Sequence, residues 1–538
     1  MMMFAPTRNR WTTMHAPISQ RAAHRGSVVV VVVWAVAVAA VLVSATQIVT
    51  FRQAVVGRET LARVQARWAA RAGMEQMVAI MEFHLQNADP DDPMAVVRDM
   101  EEHATGTTAT GSWDIRHFLD GLEWAGPLDE GAKLNINVAT SMQLTNIPNM
   151  TPDVVDAIID WRDADDNVQG LGAESDYYAN RTLGYKPRNG NFRSFAELEL
   201  VAGAWPLYVR GEDWNLNGRL DPNENDGNKS FPNDKPDGKL DGGWSKFLTA
   251  TSVQSPMSLS GENKLPLKGA DSESLTKRLG IDADQAKALA AYGNQPNAKP
   301  EALIATPLSQ LASGGTGGTG GTGSTGSGSS SGTGGKSGGT GARTGGTSSG
   351  GTSMSASASG ASSGGRGSTG SSGSGSGSSG SSSAAGGGSS GRSSSGRSSG
   401  GTGGTSAVAD LTSQQLRAVL RETTADDFAK PVPGRMNINT VPDSVLKEVL
   451  EMDPRVADAI IARRRSKPEG ITSLADLSDM SGINPTVLTQ LATQFDVTSS
   501  VYTVTSRGRA ATTGAEVEIE AVVDKSQLPA KIISYREQ

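Results

Sequence analysis

The stretch RGSVVVVVVWAVAVAAVLVSATQIV, residues 25–49, decides how this chain is built. After Arg25 it contains no charged residue, and it reaches the ~20 residues that a helix needs to cross a bilayer. The first 26 residues carry four arginines and no acid, which predicts that the N-terminus lies in the cytoplasm and the bulk of the chain on the far side. The alternative is a cleaved secretory signal peptide, cut near residues 44–46.

Helical character continues beyond this apolar run. Residues 51–86 contain no proline, and their apolar side chains recur at a spacing of three to four. These side chains are Leu61, Val64, Trp68, Met77, Ile80, Met81 and Leu85. The pattern predicts one helix of about 55 residues, half in lipid and half in a folded domain. Such continuity favours a retained anchor over a cleaved signal.

An internal repeat dominates the middle of the chain. KLNINVATSMQLTNIPNMTPDVVDAIIDWRD, from Lys133, recurs without a gap as RMNINTVPDSVLKEVLEMDPRVADAIIARRR, from Arg435, and a degenerate third copy starts at Lys264. Each copy predicts a strand, a helix, a tight turn and a second helix, the helix-hairpin-helix pattern. Units of this length bury their apolar faces against one another.

Helix-hairpin-helix units can also bind DNA phosphates through a glycine-containing turn, so DNA binding is the main rival function. The turns at residues 147–150 and 451–453 lack these glycines, and the first copy continues into a run of carboxylates that would repel phosphate. Only residues 463–467, RRRSK, form a basic cluster. The formal net charge of −7 also argues against nucleic acid as the main partner.

The C-terminal region has the pattern of strands. Residues 517–523 carry apolar side chains at every second position, alternating with Glu518, Glu520 and Val522, which predicts a half-buried strand. Residues 501–507 and 531–536 would flank it, with a turn at 513–514, and residues 113–119 add an earlier strand. A small antiparallel sheet needs a cover on its apolar face, and the second half of the long helix is the natural one.

One segment fits the twelve-residue EF-hand calcium loop at every constrained position. It supplies oxygen ligands from five side chains and one backbone carbonyl, with Gly218 at the sharp turn. The predicted ligands are Asp213, Asn215, Asn217, Arg219 (through its carbonyl), Asp221 and Glu224. A second candidate calcium site is the acidic run Asp163, Asp165, Asp166, Glu174 and Asp176. Calcium would be structural here, fixing loops in a chain without cysteine.

The arrangement resembles two related groups of proteins. A basic leader that ends in glycine before an apolar helix resembles the type IV prepilin class. The stretches DEGAKLNIN from Asp129, DWRDADD from Asp160 and PGRMNIN from Pro433 resemble the minor pseudopilin K family of type II secretion systems. That likeness covers most of the chain outside the leader, the linker and part of the segment after Gly203.

The resemblance implies a processing site and a set of partners. Prepilin peptidase would cut between Gly26 and Ser27, and the fifth mature position, where most pilin-like subunits carry glutamate, is Val31. A subunit without this glutamate would sit at the tip of the periplasmic pseudopilus and help to start its assembly with other minor pseudopilins. Members of the family can also carry calcium in their helical domain.

The expected fold class is α+β: a pilin-like fold, with a long N-terminal helix on a small antiparallel sheet, interrupted by an α-helical domain of helix-hairpin-helix-like repeats. The expected segments are a leader (1–26), the transmembrane half-helix (27–50), the first part of the core (51–134), the helical insertion with the calcium loop (135–312), a disordered Gly/Ser-rich linker (313–406), a second repeat unit (407–498) and the C-terminal strands (499–538).

The expected protein is a single-pass inner-membrane component of a secretion machine, with most of the chain in the periplasm. We expect no enzyme, because no nucleophile–base or metal–water constellation is apparent in the sequence. The alternative function is a membrane-anchored, competence-type DNA-binding protein.

Overall fold

A computed structural model of the chain describes residues 24–313 and 408–538, with side chains at residues 28–311 and 408–538. The helices are α1 (His24–Gln86), α2 (Ala95–Glu102), α3 (Ser141–Thr145), α4 (Pro152–Arg162), α5 (Ser175–Ala179), α6 (Pro206–Arg210), α7 (Ser272–Leu279), α8 (Ala283–Gly293), α9 (Ala302–Ala305), α10 (Leu308–Ser313), α11 (Ser413–Glu422), α12 (Pro454–Arg465) and α13 (Pro485–Gln494). Short 3-10 helices cover Glu130–Ala132, Phe195–Leu200, Pro222–Glu224, Gly243–Lys246 and Leu474–Leu477, and a π-helix covers Val445–Val449.

The strands are β1 (Thr105–Thr107), β2 (Gly111–Leu119), β3 (Leu122–Ala125), β4 (Leu128–Asp129), β5 (Leu134–Asn135), β6 (Leu248–Thr249), β7 (Leu265–Pro266), β8 (Thr423–Thr424), β9 (Met436–Asn437), β10 (Phe495–Asp496), β11 (Val501–Ala510), β12 (Glu516–Asp524) and β13 (Lys531–Glu537). Most of the predicted leader, and the Gly/Ser-rich segment after its first residue, lie outside the described residues. Those two assignments therefore stay predictions.

The long N-terminal helix has two halves in different environments. Helix α1 contains 63 residues, about 95 Å at 1.5 Å per residue. Its side chains are exposed from Val28 to Leu61, and burial begins at Ala62. The most apolar window of the helix has a mean hydropathy of 3.0 and contains no buried residue. Among the described residues, α1 is the helix that is long and apolar enough to cross a membrane.

The second half of α1 packs on an antiparallel sheet with the order β1-β2-β11-β12-β13, to which β3 and β4 add at the side. The buried stripe of the helix is Ala62, Ala66, Ala69, Ala70, Met74, Met77, Ile80 and Met81. Small residues bring the backbones together: a Cβ on Gly508 of β11 would lie 2.0 Å from the carbonyl oxygen of Ala66. The predicted combination of helix and sheet is confirmed, and the sheet contains more strands than were predicted.

The repeats share one backbone arrangement. In each copy, the two-residue strand at the start pairs in parallel with a two-residue strand at the end of the unit. The pairs are β5 with β6 in the first copy, β9 with β10 in the second, and β7 with β8 in the third. The first two copies share one hydrophobic core, whereas the third has its own. The third copy also holds the flanks of the Gly/Ser-rich segment, because Leu308 of α10 and Val419 of α11 are buried in that same core.

Residues that are identical between the first two copies do the same structural work. Asn137 binds the backbone of Phe192 through both ends of its amide (Oδ1 to N, 2.7 Å; Nδ2 to O, 3.2 Å), and Asn439 binds Ile471 in the same way (2.8 and 3.0 Å). Arg464 donates to the carbonyls of Ile438 and Val441. These pairs satisfy backbone groups that would otherwise be buried without a partner.

The two hairpins differ in their first helix. The first copy uses α3, whereas the second uses the π-helix Val445–Val449. Both turns place one residue in the left-handed region at matching positions, Asn149 (φ 62°) and Glu451 (φ 44°). The turns therefore reach this conformation without the glycine that a phosphate-binding turn uses to bring its backbone close.

Candidate functional sites

The N-terminal end of α1 forms the first candidate site. Gly26 and Ser27, the predicted processing position, lie in the first turns of this helix. Val31 is 66% exposed on its apolar surface, and the next charged residue along the chain is Arg52. The helix surface that would meet lipid therefore carries no carboxylate near its start. Cleavage by prepilin peptidase stays a prediction.

The second candidate site is the calcium loop, residues 213–224. The Asp213 carboxylate accepts hydrogen bonds from the backbone N–H groups of Asn217 and Gly218, both at 3.0 Å. The Glu224 carboxylate accepts from the N–H groups of Trp214 and Asp221, both at 3.1 Å. The loop is therefore curled around its first and last carboxylates, as the twelve-residue pattern requires.

The electrostatics of this loop fit a cation. Asp213 and Glu224 are 3% and 1% exposed. Burial raises the pKa of Asp213 to about 6 and that of Glu224 to about 8, and the mutual proximity of the loop carboxylates adds to both. A divalent cation would offset this concentration of buried negative charge. The donor set, all oxygen, is the one that calcium prefers.

The structure places this loop against the sheet. Asn217 donates to Glu518 Oε1 (2.8 Å), and Arg507 donates to Asp221 Oδ1 (2.5 Å). The Phe118 N–H donates to the Gly218 carbonyl (2.7 Å), and Arg219 donates to Asp114 Oδ2 (2.8 Å). The prediction that β12 has a solvated polar face is therefore wrong at Glu518, which the loop covers and which is only 8% exposed, whereas Glu516 on the same face is exposed.

The third candidate site is an acidic cluster at the end of α4. One carboxylate oxygen from each of Asp160, Asp163 and Glu174 lies within 4.8 Å of the other two. Both oxygens of Glu174, which is 3% exposed, and Oδ1 of Asp163 have no hydrogen-bond partner. Burial, followed by repulsion from Asp160 and Asp163, raises the pKa of Glu174 to about 7. Buried carboxylate oxygens without donors point to a cation as their partner.

The predicted acidic run is only partly brought together. Asp163 and Glu174 belong to the cluster, whereas Asp165 accepts from Asn167 (2.9 Å) and Asp166 accepts from Ser175 (2.6 Å). Asp176 lies in the first turn of α5, outside the cluster.

Sequence reasoning missed Asp160, the other member of the cluster, because it lies inside a helix. A signal for it is nearby: a Cβ on Gly172 would lie 2.1 Å from Asp160 Oδ2, so only glycine lets that loop approach.

The basic residues at the end of α12 are paired with carboxylates. Arg464 and Arg465 pair with Asp443, Arg463 pairs with Asp479 (3.8 Å), and Lys467 pairs with Glu469 (3.2 Å). Arg464 is also buried by its contacts to backbone carbonyls. Among the described residues this cluster therefore offers little free positive charge to a phosphate backbone.

A comparison with protein families gives a match over part of the chain. Residues 133–210, which contain α3 to α6 and the acidic cluster, match the model of a family of the type II secretion system (T2SS). The family is protein K, and the match confirms the resemblance of this chain to the minor pseudopilin K proteins. The match covers the first repeat and ends before the calcium loop.

Two further comparisons give less. No curated protein matches the sequence. A chain of the crystal structure of the GspK-GspI-GspJ complex from the enterotoxigenic Escherichia coli Type 2 Secretion System matches with a TM-score of 0.36 and 10% sequence identity. The alignment covers 90% of this chain and 99% of that chain. At this TM-score the likeness carries no argument of its own.

Proposed function

We propose that this chain is a minor pseudopilin that forms the tip of a type II secretion pseudopilus and helps to start its assembly with other minor pseudopilins. The observation that carries the proposal is helix α1. Its first half is largely apolar, exposed and free of carboxylates near its start, and its second half packs on the sheet. The protein K match at residues 133–210 supports the same role.

The absence of a carboxylate at position 31 has a physical consequence in lipid. A glutamate there is costly unless it meets a cation, such as the terminal amine of a neighbouring subunit. A subunit with Val31 gains nothing from following another subunit into the fibre. It can therefore be first, while its own terminal amine remains available to the next subunit.

The location follows from the same helix. A single apolar segment near the N-terminus anchors the chain in the inner membrane, with the arginine-rich leader in the cytoplasm and the sheet and repeats in the periplasm. Prepilin peptidase would remove the leader after Gly26. The function is structural and not enzymatic, and the partners are the membrane and other pseudopilins.

Calcium has a structural role in this proposal. The loop at 213–224 and the cluster of Asp160, Asp163 and Glu174 both supply hard oxygen ligands from buried carboxylates. An ion at each place would offset the repulsion among these groups. It would also fix loops that no disulfide holds, since the chain has no cysteine.

The test compares two neighbouring substitutions in the helix. In the native secretion system, Val31→Glu should move a labelled subunit from the tip into the shaft, because the carboxylate can now pair with a terminal amine. Val32→Glu, which puts the same charge one residue later, should only reduce membrane insertion. N-terminal sequencing should give Ser27 as the first residue. Unsubstituted chains labelled along the shaft, or an intact leader, would contradict the proposal.

A further inference from the structure

Asn217 has the decisive position in the calcium loop. Its side chain is 2% exposed and is the one loop amide that touches the sheet. Its oxygen accepts the backbone N–H of Arg219 (2.8 Å) inside the loop, while its nitrogen donates to Glu518 Oε1 on the sheet (2.8 Å) and to Asp221 Oδ2 within the loop (3.1 Å). The amide oxygen therefore faces the loop, as a calcium ligand at the fifth position must.

An amide can turn over and exchange its oxygen for its nitrogen, and nitrogen does not bind calcium. Asp221 within the loop and Glu518 on the sheet both accept from this nitrogen and so oppose the exchange, and Glu518 is the partner outside the loop. Its carboxylate can only accept hydrogen bonds, so it receives the NH2 end of Asn217 and rejects the oxygen. Arg507 holds Glu518 in turn, donating to Glu518 Oε2 at 2.8 and 3.1 Å.

We propose that Glu518 is a positioning residue for calcium: acting through the Asn217 amide, it couples ion binding in the loop to docking of the loop on β12. The inference rests on the calcium role proposed above. The coupling joins residues that are far apart in sequence, since the loop belongs to the helical insertion and Glu518 to the C-terminal strands. Because such coupling is reciprocal, bound calcium also strengthens the contact between loop and sheet.

The experiment measures Tb³⁺ binding to the full chain in detergent, because Tb³⁺ takes the oxygen ligands of Ca²⁺ and is excited by a nearby tryptophan. Trp214 belongs to the loop itself. Trp161 is next to Asp160, so all variants carry Glu174→Gln to weaken binding at the other cluster. Glu518→Ala removes a hydrogen bond to a charged group, so it should raise the dissociation constant for Tb³⁺ about tenfold. Glu516→Ala, on the same strand and face but exposed, should leave it unchanged.

The effect of Glu518→Ala on Tb³⁺ affinity should differ between two backgrounds. This difference separates positioning from a general effect of charge or packing. In an Asn217→Asp background both terminal atoms are oxygens, so no orientation has to be chosen and Glu518 only repels the new carboxylate. There, Glu518→Ala should leave Tb³⁺ binding equal or make it tighter. As a second readout, hydrogen exchange in β12 should slow on addition of Ca²⁺ in the chain with native Asn217 and Glu518.

Each result has one meaning. Weakening by Glu518→Ala in both backgrounds, or in neither, overturns the positioning role while the calcium role stands. If the Glu174→Gln chain gives no saturable Tb³⁺ signal that Glu224→Gln abolishes, the loop does not bind the ion. That result removes both the calcium role of this loop and the inference.

Discussion

Replacing Glu174 by glutamine should change the stability of its surroundings in opposite directions with and without calcium. In the absence of an ion, the carboxylate lies within 4.8 Å of two others and has no hydrogen-bond donor. Its pKa is raised from 4.5 to about 7 in the folded chain. The folded state therefore binds more protons than the unfolded state between these values, and stability falls as the pH rises from 4.5 to 7.

The size of the effect follows from this pKa. One pKa unit is equivalent to about 1.4 kcal/mol, so the ionised carboxylate costs at most about 3.4 kcal/mol at neutral pH. Water that enters the site screens the charge and reduces the cost to about 1–2 kcal/mol. Glu174→Gln removes this cost in EDTA. With Ca²⁺ at a hundred times its dissociation constant, the unsubstituted site gains about 2.7 kcal/mol, which the variant loses.

Hydrogen exchange of the α4 amides is the assay, because it reports the local free energy of opening around Asp160. In EDTA at pH 7, exchange in the variant should be about 5- to 30-fold slower than in the unsubstituted chain. With Ca²⁺ present, exchange should be faster in the variant than in the unsubstituted chain. Asp176→Asn removes a charge just outside the cluster and should follow the unsubstituted chain. A variant that is less stable under both conditions would refute the reasoning.

Three other substitutions test the fold. Arg464→Ala leaves two carbonyls without their donor and should cost about 2–3 kcal/mol in denaturant unfolding, whereas its exposed neighbour, Arg465→Ala, should cost under about 0.5 kcal/mol. Gly508→Ala should push α1 off the sheet and lower the free energy of unfolding by about 2 kcal/mol or more. Gly57→Ala, whose Cβ would meet nothing within 4 Å, should not lower it. Equal effects of the two substitutions would contradict the close packing. Burial lowers the pKa of His117 to about 4. Between pH 6.5 and 4 the unfolded state therefore binds one more proton than the folded state, and stability should fall as the pH drops through this range. Urea midpoints of the His117→Asn variant should lack that decline.

Patterns confined to short stretches were readable in the sequence. The spacing of apolar residues predicted that α1 extends to Gln86, and alternation predicted β12, because side-chain period follows directly from backbone geometry. The segments that form β11 and β13 were predicted as the strands that flank β12. The EF-hand pattern predicted the curled loop for the same reason, since Gly218 and the two terminal carboxylates act within twelve residues.

Contacts between distant segments were not readable. The acidic cluster needs Asp160, which in sequence looks like part of a helix, and it forms because Gly172 lets a later loop approach. The sheet also gained strands too short to show a period, such as β1 and β4. Alternation in β12 suggested a solvated face, but at Glu518 that face is covered by a loop from the helical insertion.

The sequence by itself determined the long apolar helix, the repeats and the oxygen-rich segments, because these depend on residue type and local spacing. Only the tertiary structure decided which carboxylates meet and that Glu518 faces Asn217. Such meetings depend on how separate segments pack, and packing is set by shape and burial over the whole domain. Composition and period along the chain do not carry that information.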